Sequence, residues 1–198
     1  MSRTSLRPAC AQDLPALADL AAQAMLEDEL FAHICPHRYE HYSDFRYGFL
    51  RRLKKRLVTP GYVMIVAVEN EGPHSELIPL ERKLLDLEDR YLALVYPDRS
   101  VDPHRLEHYT ASLVDCFPFS KYPELWFLAT VAVDPGSQRR GIGRQLVQWG
   151  LHQALDEKVP VGLEASVKGT ALYEKLGFQR VNTVELIPGL PIRAMLYE

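Results

Sequence analysis

Leu128-Ala129-Thr130-Val131-Ala132-Val133-Asp134-Pro135, followed by Gln138-Arg139-Arg140-Gly141-Ile142-Gly143-Arg144, is the stretch on which the reading of this chain turns. Its first half is apolar and β-branched and stops at Asp134-Pro135-Gly136, which predicts a strand from Leu125 to Val133. Its second half opens a helix that carries Ile142, Leu146, Val147 or Trp149, and Leu151 at helical spacing. Backbone N–H groups at a helix start have no partner inside the helix and face an anion together with the positive end of the dipole. Gly141 and Gly143 remove Cβ atoms that would hold a diphosphate away, and Arg139, Arg140 and Arg144 add positive charge. The stretch therefore reads as a diphosphate cradle, although Gly-x-Gly alone also serves ordinary turns.

Two familiar nucleotide loops fit it poorly. A Walker-type loop needs Gly-Lys-Ser/Thr after the glycines, and none follows. A dinucleotide fingerprint would use Glu164 at the end of the next strand. It would also need a third glycine where Leu146 stands, and a tight turn where this chain has a loop of several residues.

Working outward, Val161 to Ala165 reads as a strand, Gly169 to Leu176 as a short helix stopped by Gly177, and Phe178 to Leu186 and Ile192 to Tyr197 as closing strands. Pro188-Gly189-Leu190-Pro191 between the last two argues against a tight two-residue hairpin. Upstream, Arg7-Pro8-Ala9 leads into a helix with Asp13 as N-cap and Pro15 in its first turn, with Leu14, Leu17, Leu20, Ala21, Ala24 and Met25 at helical spacing. A second helix carries Tyr42, Phe45, Phe49, Leu50, Leu53 and Leu57 and ends at Thr59-Pro60-Gly61. Tyr62 to Val68 reads as a buried strand. Between Glu69 and Pro123 two further helical patterns, Leu80 to Leu94 and Leu106 to Val114, form a helical insert, the second started by Asp102 and Pro103.

The 128–146 run, with Leu163-Glu164-Ala165-Ser166 and Ala171-Leu172-Tyr173-Glu174-Lys175-Leu176-Gly177-Phe178 in order behind it, resembles the acyl-CoA-binding motif of the GNAT superfamily of N-acetyltransferases. Trp126-Phe127-Leu128-Ala129-Thr130-Val131 with the two downstream blocks is similar to the puromycin N-acetyltransferase-like branch of that superfamily. The resemblance implies an α+β fold: a mixed, mostly antiparallel twisted sheet flanked by helices and splayed at the acyl-CoA site, with the insert between the sheet halves. It implies one domain over residues 1–198, with the insert at about 70–123 and the acyl-CoA-binding part at about 124–180. It also implies a strand after residues 62–68 that the sequence does not provide, unless Glu76-Leu77-Ile78 is its remnant.

For the site, the resemblance implies that Val131 and Val133 offer main-chain groups to the pantetheine arm and that Gln138, Arg139, Arg140, Gly141, Ile142, Gly143 and Arg144 hold the diphosphate. Ser166 would border the thioester, and Tyr173 would protonate the departing thiolate. A tyrosine with an ordinary pKa near 10 carries its proton at neutral pH and needs no tuning for that role. Read in isolation, Tyr173 is an ordinary packing residue, and Lys168 and Lys175 are surface lysines within reach of a nucleotide phosphate. The implied reaction is transfer of an acetyl group from acetyl-CoA, as co-substrate, to a primary amine by direct attack with both substrates bound. Glu124, Glu164, His104, His108 and Glu29 are the candidates for removing the amine proton. The alternatives are a CoA-binding protein without turnover and a dinucleotide-binding protein.

Composition agrees with a globular chain. Its 198 residues are 47% hydrophobic and 25% charged, with a net charge of −3, outside the range of disordered chains and unlike a basic nucleic-acid binder. A folded chain of this mass buries about 70% of its extended surface, enough for one full core. Arg51, Arg52, Lys54, Lys55 and Arg56 read first as the solvated end of a helix, where cations suit the dipole, and second as an anion or partner patch. Cys10, Cys35 and Cys116 lack ligand or disulfide spacing, so no metal is expected. Without a signal-like apolar start or a membrane-length apolar run, the expected location is cytoplasmic. The expected partner is a small-molecule amine, with no nucleic acid or membrane, in a monomer or homodimer.

Overall fold

The computed structural model describes residues 4–69, 83–85, 87, 91 and 97–198. In chain order the elements are β1 (Ser5–Pro8), α1 (Leu14–Met25), α2 (Glu29–Ile34), α3 (Tyr42–Val58), β2 (Ile65–Val68), α4 (Pro103–Cys116), β3 (Trp126–Leu128), α5 (Ile142–Glu157), β4 (Val161–Ala165), α6 (Val167–Lys175), β5 (Gln179–Ile187) and β6 (Leu190–Tyr197). The fold is mixed α and β, with mainly antiparallel pairing. Among the described residues β1 and β2 form one antiparallel pair, and the other four strands form a sheet in the order β3-β4-β6-β5, in which β3 and β4 run parallel.

The four-stranded sheet is covered on both faces, as the period-2 alternation of its strands requires. Val161, Leu163 and Ala165 of β4 and Met195 of β6 pack with Val147, Leu151 and Ala154 of α5. Ile192, Ala194 and Leu196 of β6 turn the other way, onto Cys116 and Phe117 at the end of α4. Gly162 of β4 shares that second face: a Cβ there would lie 2.7 Å from Phe117 Cε2. A third cluster joins α1, α2 and α3 through Ala18, Ala21, Ala22, Ile34, Phe45 and Phe49. Its stripe on α1 runs through Leu14, Ala18, Ala21 and Ala22 instead of Leu17, Leu20 and Ala24. Alanines here place small side chains against the phenylalanines of α3.

Several sequence expectations shift. Asp13 stands at the N-cap of α1 but bonds no α1 amide; its carboxylate takes the Cys10 N–H and a two-pronged bond from Arg7. The strand expected over Tyr62 to Val68 is paired only from Ile65, and only Val66 in it is buried. Pro188-Gly189 does make a tight two-residue hairpin, pairing Ile187 with Leu190. Gly189 adopts φ +85, the turn position that glycine supplies after proline, and its N–H donates to Glu185. Pro191 is tolerated in β6 because β4 pairs with that strand only from Arg193 onward. The α2 helix, capped by Asp28, was not expected. The helix expected over Leu80 to Leu94 lies outside the described residues except at Lys83, Leu84, Leu85, Leu87 and Tyr91, which are helical. The candidate strand remnant Glu76-Leu77-Ile78 lies outside them entirely.

Candidate active site

The site starts where two parallel strands part. β3 pairs with β4 from Trp126 to Leu128, opposite Val161 to Leu163, and no further. The predicted strand is therefore shorter than Leu125 to Val133: residues 129–133 leave β4 while β4 runs on to Ala165. A strand needs a neighbour for its ladder, and among the described residues none accompanies this segment. The wedge has Ala129 to Val133 on one side and Glu164, Ala165 and Ser166 on the other.

The loop that follows closes on itself. Gln138 Nε2 donates to the Val133 carbonyl at 3.2 Å, tying the loop back to the splayed segment. Arg139 at φ +63 and Gly141 at φ +83 both enter the left-handed region, a backbone pattern that gathers N–H groups into an anion-binding concavity. Gly141 is the N-cap of α5 and offers no capping side chain, so the first N–H groups of α5, starting at Ile142, have no side-chain cap. A Cβ on Gly141 would meet nothing, so space above it is open; the need for glycine there comes from φ. A Cβ on Gly143 would rest in ordinary contact with Val133 and Leu172, at 3.6 and 3.8 Å. This α5 terminus thus stands beside both the splayed segment and the helix that carries Tyr173. Arg139, Arg140 and Arg144 are exposed, and Arg140 pairs with Glu69 at 3.1 Å.

The α6 helix supplies the opposite wall. Ser166 caps it by accepting the Gly169 N–H at 3.1 Å. A Cβ on Gly169 would lie 3.1 Å from Tyr173 Cε2 and 3.2 Å from Ser166 Oγ, so this glycine makes room for both candidate residues. Tyr173 packs edge-on against Phe178 with ring centroids 5.7 Å apart, and burial pushes its phenol up to about 12. The N-terminal end of α6 is held by α2: Glu29 accepts the Val167 N–H at 2.6 Å, and Lys168 Nζ donates to the Glu27 carbonyl at 2.9 Å. Lys168 is therefore directed at the α1–α2 junction.

These contacts sort the candidate bases. Glu29 is engaged at the α6 terminus, and Glu124, His104 and His108 are exposed. Glu164 is half-buried on the β4 face shared with Gly162, at the mouth of the wedge, and burial raises its carboxyl to about 7. It lies within electrostatic reach of Tyr109 and Cys116 of α4, whose own groups burial also raises. Asp28, Arg52 and Arg56 act on Tyr109 or are acted on by it from the other side. Sequence reasoning missed this second wall. The available signal was the spacing of Phe45, Phe49, Arg52 and Arg56, which places two arginines of the basic cluster on the helix face of the buried phenylalanines. The cluster is thus not one solvated face: Lys55 is exposed, whereas burial lowers the pKa of Arg52 and Arg56.

Among the described residues no group of His, Cys, Asp and Glu side chains could hold a metal ion, the three cysteines are buried and free, and no helix is long and apolar enough to cross a membrane.

A splayed sheet with a glycine-opened helix terminus at the splay defines the GNAT fold, and solved structures agree over nearly the full chain. The structure described as histone acetyltransferase HPA2 and related acetyltransferase from Corynebacterium glutamicum superposes with a TM-score of 0.65 at 22% identity, covering 99% of this chain and 96% of that one. Drosophila melanogaster polyamine N acetyltransferase superposes with a TM-score of 0.55 at 16% identity, covering 99% and 100%. At the level of sequence, residues 107–180 match the acetyltransferase (GNAT) domain family. An acetyltransferase of Stachybotrys chartarum is 27% identical over 92% of this chain and 84% of its own length. The fold is thus that of GNAT acetyltransferases, and residues 107–180 carry the match to that domain family.

Proposed function

We propose that the chain, as one domain over residues 1–198, is an acetyl-CoA-dependent N-acetyltransferase acting on a primary amine of a small molecule. The observation that carries this reading is the wedge between residues 129–133 and 164–166, with the uncapped α5 terminus at one end and Tyr173 on its wall. Acetyl-CoA supplies the acyl group as a thioester. Main-chain groups of Val131 and Val133 receive the pantetheine arm, residues Gln138 through Arg144 bind the diphosphate, and Ser166 borders the thioester while capping α6. The amine nitrogen bonds to the acyl carbon as the carbon–sulfur bond breaks. Tyr173 gives its proton to the departing sulfur, and Glu164 takes the proton that the amine must lose. A phenol near 12 stays protonated throughout the physiological range, and a carboxyl near 7 is poised between its two states, so each suits its direction of transfer. The placement in the puromycin N-acetyltransferase-like branch rests on the blocks around Trp126, Glu164 and Tyr173 alone.

Tyr173→Phe tests the reading. The expected result is a loss in kcat of about a hundredfold or more with acetyl-CoA affinity within twofold or so of the parent. Normal turnover by this variant removes the general-acid role. Tight acetyl-CoA binding with no thiol release for any amine favours a protein that binds CoA without turnover, and stronger thermal stabilisation by a dinucleotide than by CoA favours the dinucleotide reading.

A further inference from the structure

Arg52 and Arg56 stand one turn apart on α3 and face inward. The Arg52 guanidinium lies over the Phe49 ring at 4.4 Å and 5.4 Å from that of Phe31, and Arg56 Nη1 donates to Thr130 Oγ1 at 2.8 Å, on the splayed segment itself. Among the described residues neither guanidinium has a carboxylate in ion-pair contact; Asp98, whose Oδ1 accepts from the Ser100 N–H and hydroxyl, acts on Arg52 from farther off. Two half-buried cations close together, with no carboxylate bonded to either, are unfavourable for an empty site and favourable for one that receives an anion. Tyr109 lies within electrostatic reach of both arginines and also of Glu164 and Asp28. Asp28 is already occupied as the cap of α2, accepting from Leu30 and Phe31 at 3.0 and 3.2 Å. Glu164 has no hydrogen-bond partner among the described residues. The surroundings of Tyr109 are therefore bipolar, with Arg52 and Arg56 on the α3 side, the latter bonded to Thr130 of the splayed segment, and the Glu164 carboxyl on the β4 side.

We propose that the acceptor is an amine that also carries an anionic group, a carboxylate or a phosphate, with that group bound by Arg52 and Arg56 and its amine directed at Glu164. This rests on the acetyltransferase reading and names the substrate class of the same site. Planar guanidinium groups match the two oxygens of a carboxylate, and two of them a turn apart also suit a phosphate.

The test measures thiol release from acetyl-CoA with matched amines that differ in the anion: phenylalanine against phenethylamine, ornithine against putrescine, β-alanine against ethylamine, and phosphoethanolamine against ethanolamine. The expected result is a kcat/KM roughly tenfold or more higher for the anionic member of at least one pair. The carboxylate and phosphate arms tell the two anions apart. Arg56→Gln and Arg52→Gln should bring that ratio down toward one; Arg56, whose partner Thr130 is exposed, serves if the Arg52 variant fails to fold. Preference for the uncharged member in every pair, or an unmoved ratio in both variants, overturns the proposal. So does weaker acetyl-CoA binding by the variants with the ratio intact, since the arginines would then serve the donor. Absence of acetyl-CoA binding by the parent protein overturns the acetyltransferase reading itself, a separate and distinguishable failure.

Discussion

The two walls of the wedge are built by opposite means. The wall proposed for the donor runs almost unbroken from Trp126 to Phe178 and is built from backbone: a strand that leaves its neighbour at Leu128, a left-handed Gly141, the open α5 terminus and the capped α6. The wall proposed for the acceptor draws side chains, Asp28, Arg52, Arg56, Tyr109 and Glu164, from the cap of α2 and from α3, α4 and β4. A backbone cradle fixes the part of a ligand that does not vary. Side chains from separate elements can be exchanged without disturbing it, so a scaffold of this kind can change acceptor while keeping its donor.

The comparison depends on the two walls being held in register, and the contact between Gly162 and Phe117 is the one that joins them through packing, beside the hydrogen bonds of Arg56, Glu29 and Lys168. Phe117 is almost wholly buried and also packs against Phe127 and Phe119. A side chain at Gly162 would press on the Phe117 ring, which is itself held among Phe119, Tyr122 and Phe127. Gly162→Val is expected to cost roughly 3 kcal/mol or more in chemical denaturation, at the upper end of overpacking penalties. Phe117→Leu in the same chain should return part of it, giving a coupling in the double-mutant cycle. Additive effects would mean that this contact does not couple the walls.

A smaller effect separates the chemistry of the walls from their architecture. Glu164→Gln keeps the shape of the β4 side and removes the proposed proton acceptor, so kcat/KM should fall about a hundredfold. Because only the ionised carboxylate accepts a proton, parent activity should decline about tenfold per pH unit below its pKa of about 7, while the variant lacks that decline. The amine's own protonation is common to both and cancels in their ratio. Stability supplies an independent sign. Burial raises the folded carboxyl above its unfolded value, so the parent loses stability as pH rises from the ordinary glutamate range to about 7, and the variant should be the more stable of the two at pH 8. An unchanged acid limb in the variant would assign the titration to another group.

The same contrast explains what the sequence disclosed. The donor wall was legible because each of its devices is local: the glycines at a helix start, Ser166 ahead of α6, the alternation of β4. The reading overran at Ala129 to Val133, since apolar β-branched residues mark a capacity to pair, whereas where the pairing stops, at Leu128 opposite Leu163, is set by a strand remote in the chain. It erred at Pro188-Gly189 by weighing the prolines over the left-handed turn that Gly189 provides. The acceptor wall was illegible for a different reason. Its residues share no segment, and their chemistry arises from mutual position: Glu164 was one of five equal candidates until β4 turned it toward Tyr109. Arg52 and Arg56 resembled solvated charge until α3 turned the first toward Phe31 and Phe49 and the second toward Thr130.

The smallest effect lies away from both walls, at the start of the chain, and checks that charge pairing there is structural. Arg7 of β1 grips Asp13 with two bonds of 2.7 and 2.8 Å, and the same carboxylate takes the Cys10 N–H. Their side chains are only 9% and 19% exposed, so water screens the pair little. The hydrogen bond from Arg7 is the largest cause holding the Asp13 carboxyl at about 2, against burial, which acts to raise it. A depressed carboxyl stabilises the fold fully above its unfolded value near 4, and that contribution is lost as pH falls toward 2. Asp13→Asn, which keeps one acceptor oxygen, should therefore cost roughly 1–2 kcal/mol between pH 5 and 7. The gap between parent and variant in denaturation midpoints should narrow from pH 4 downward, as the parent's carboxylate gains the proton that makes it resemble the amide. Acetyl-CoA affinity of the variant at neutral pH should stay at the parent value, because the pair fastens β1 to α1 and touches neither wall. A gap that does not change with pH would mean that Asp13 acts through packing and its bond to Cys10, with the charge of Arg7 contributing little.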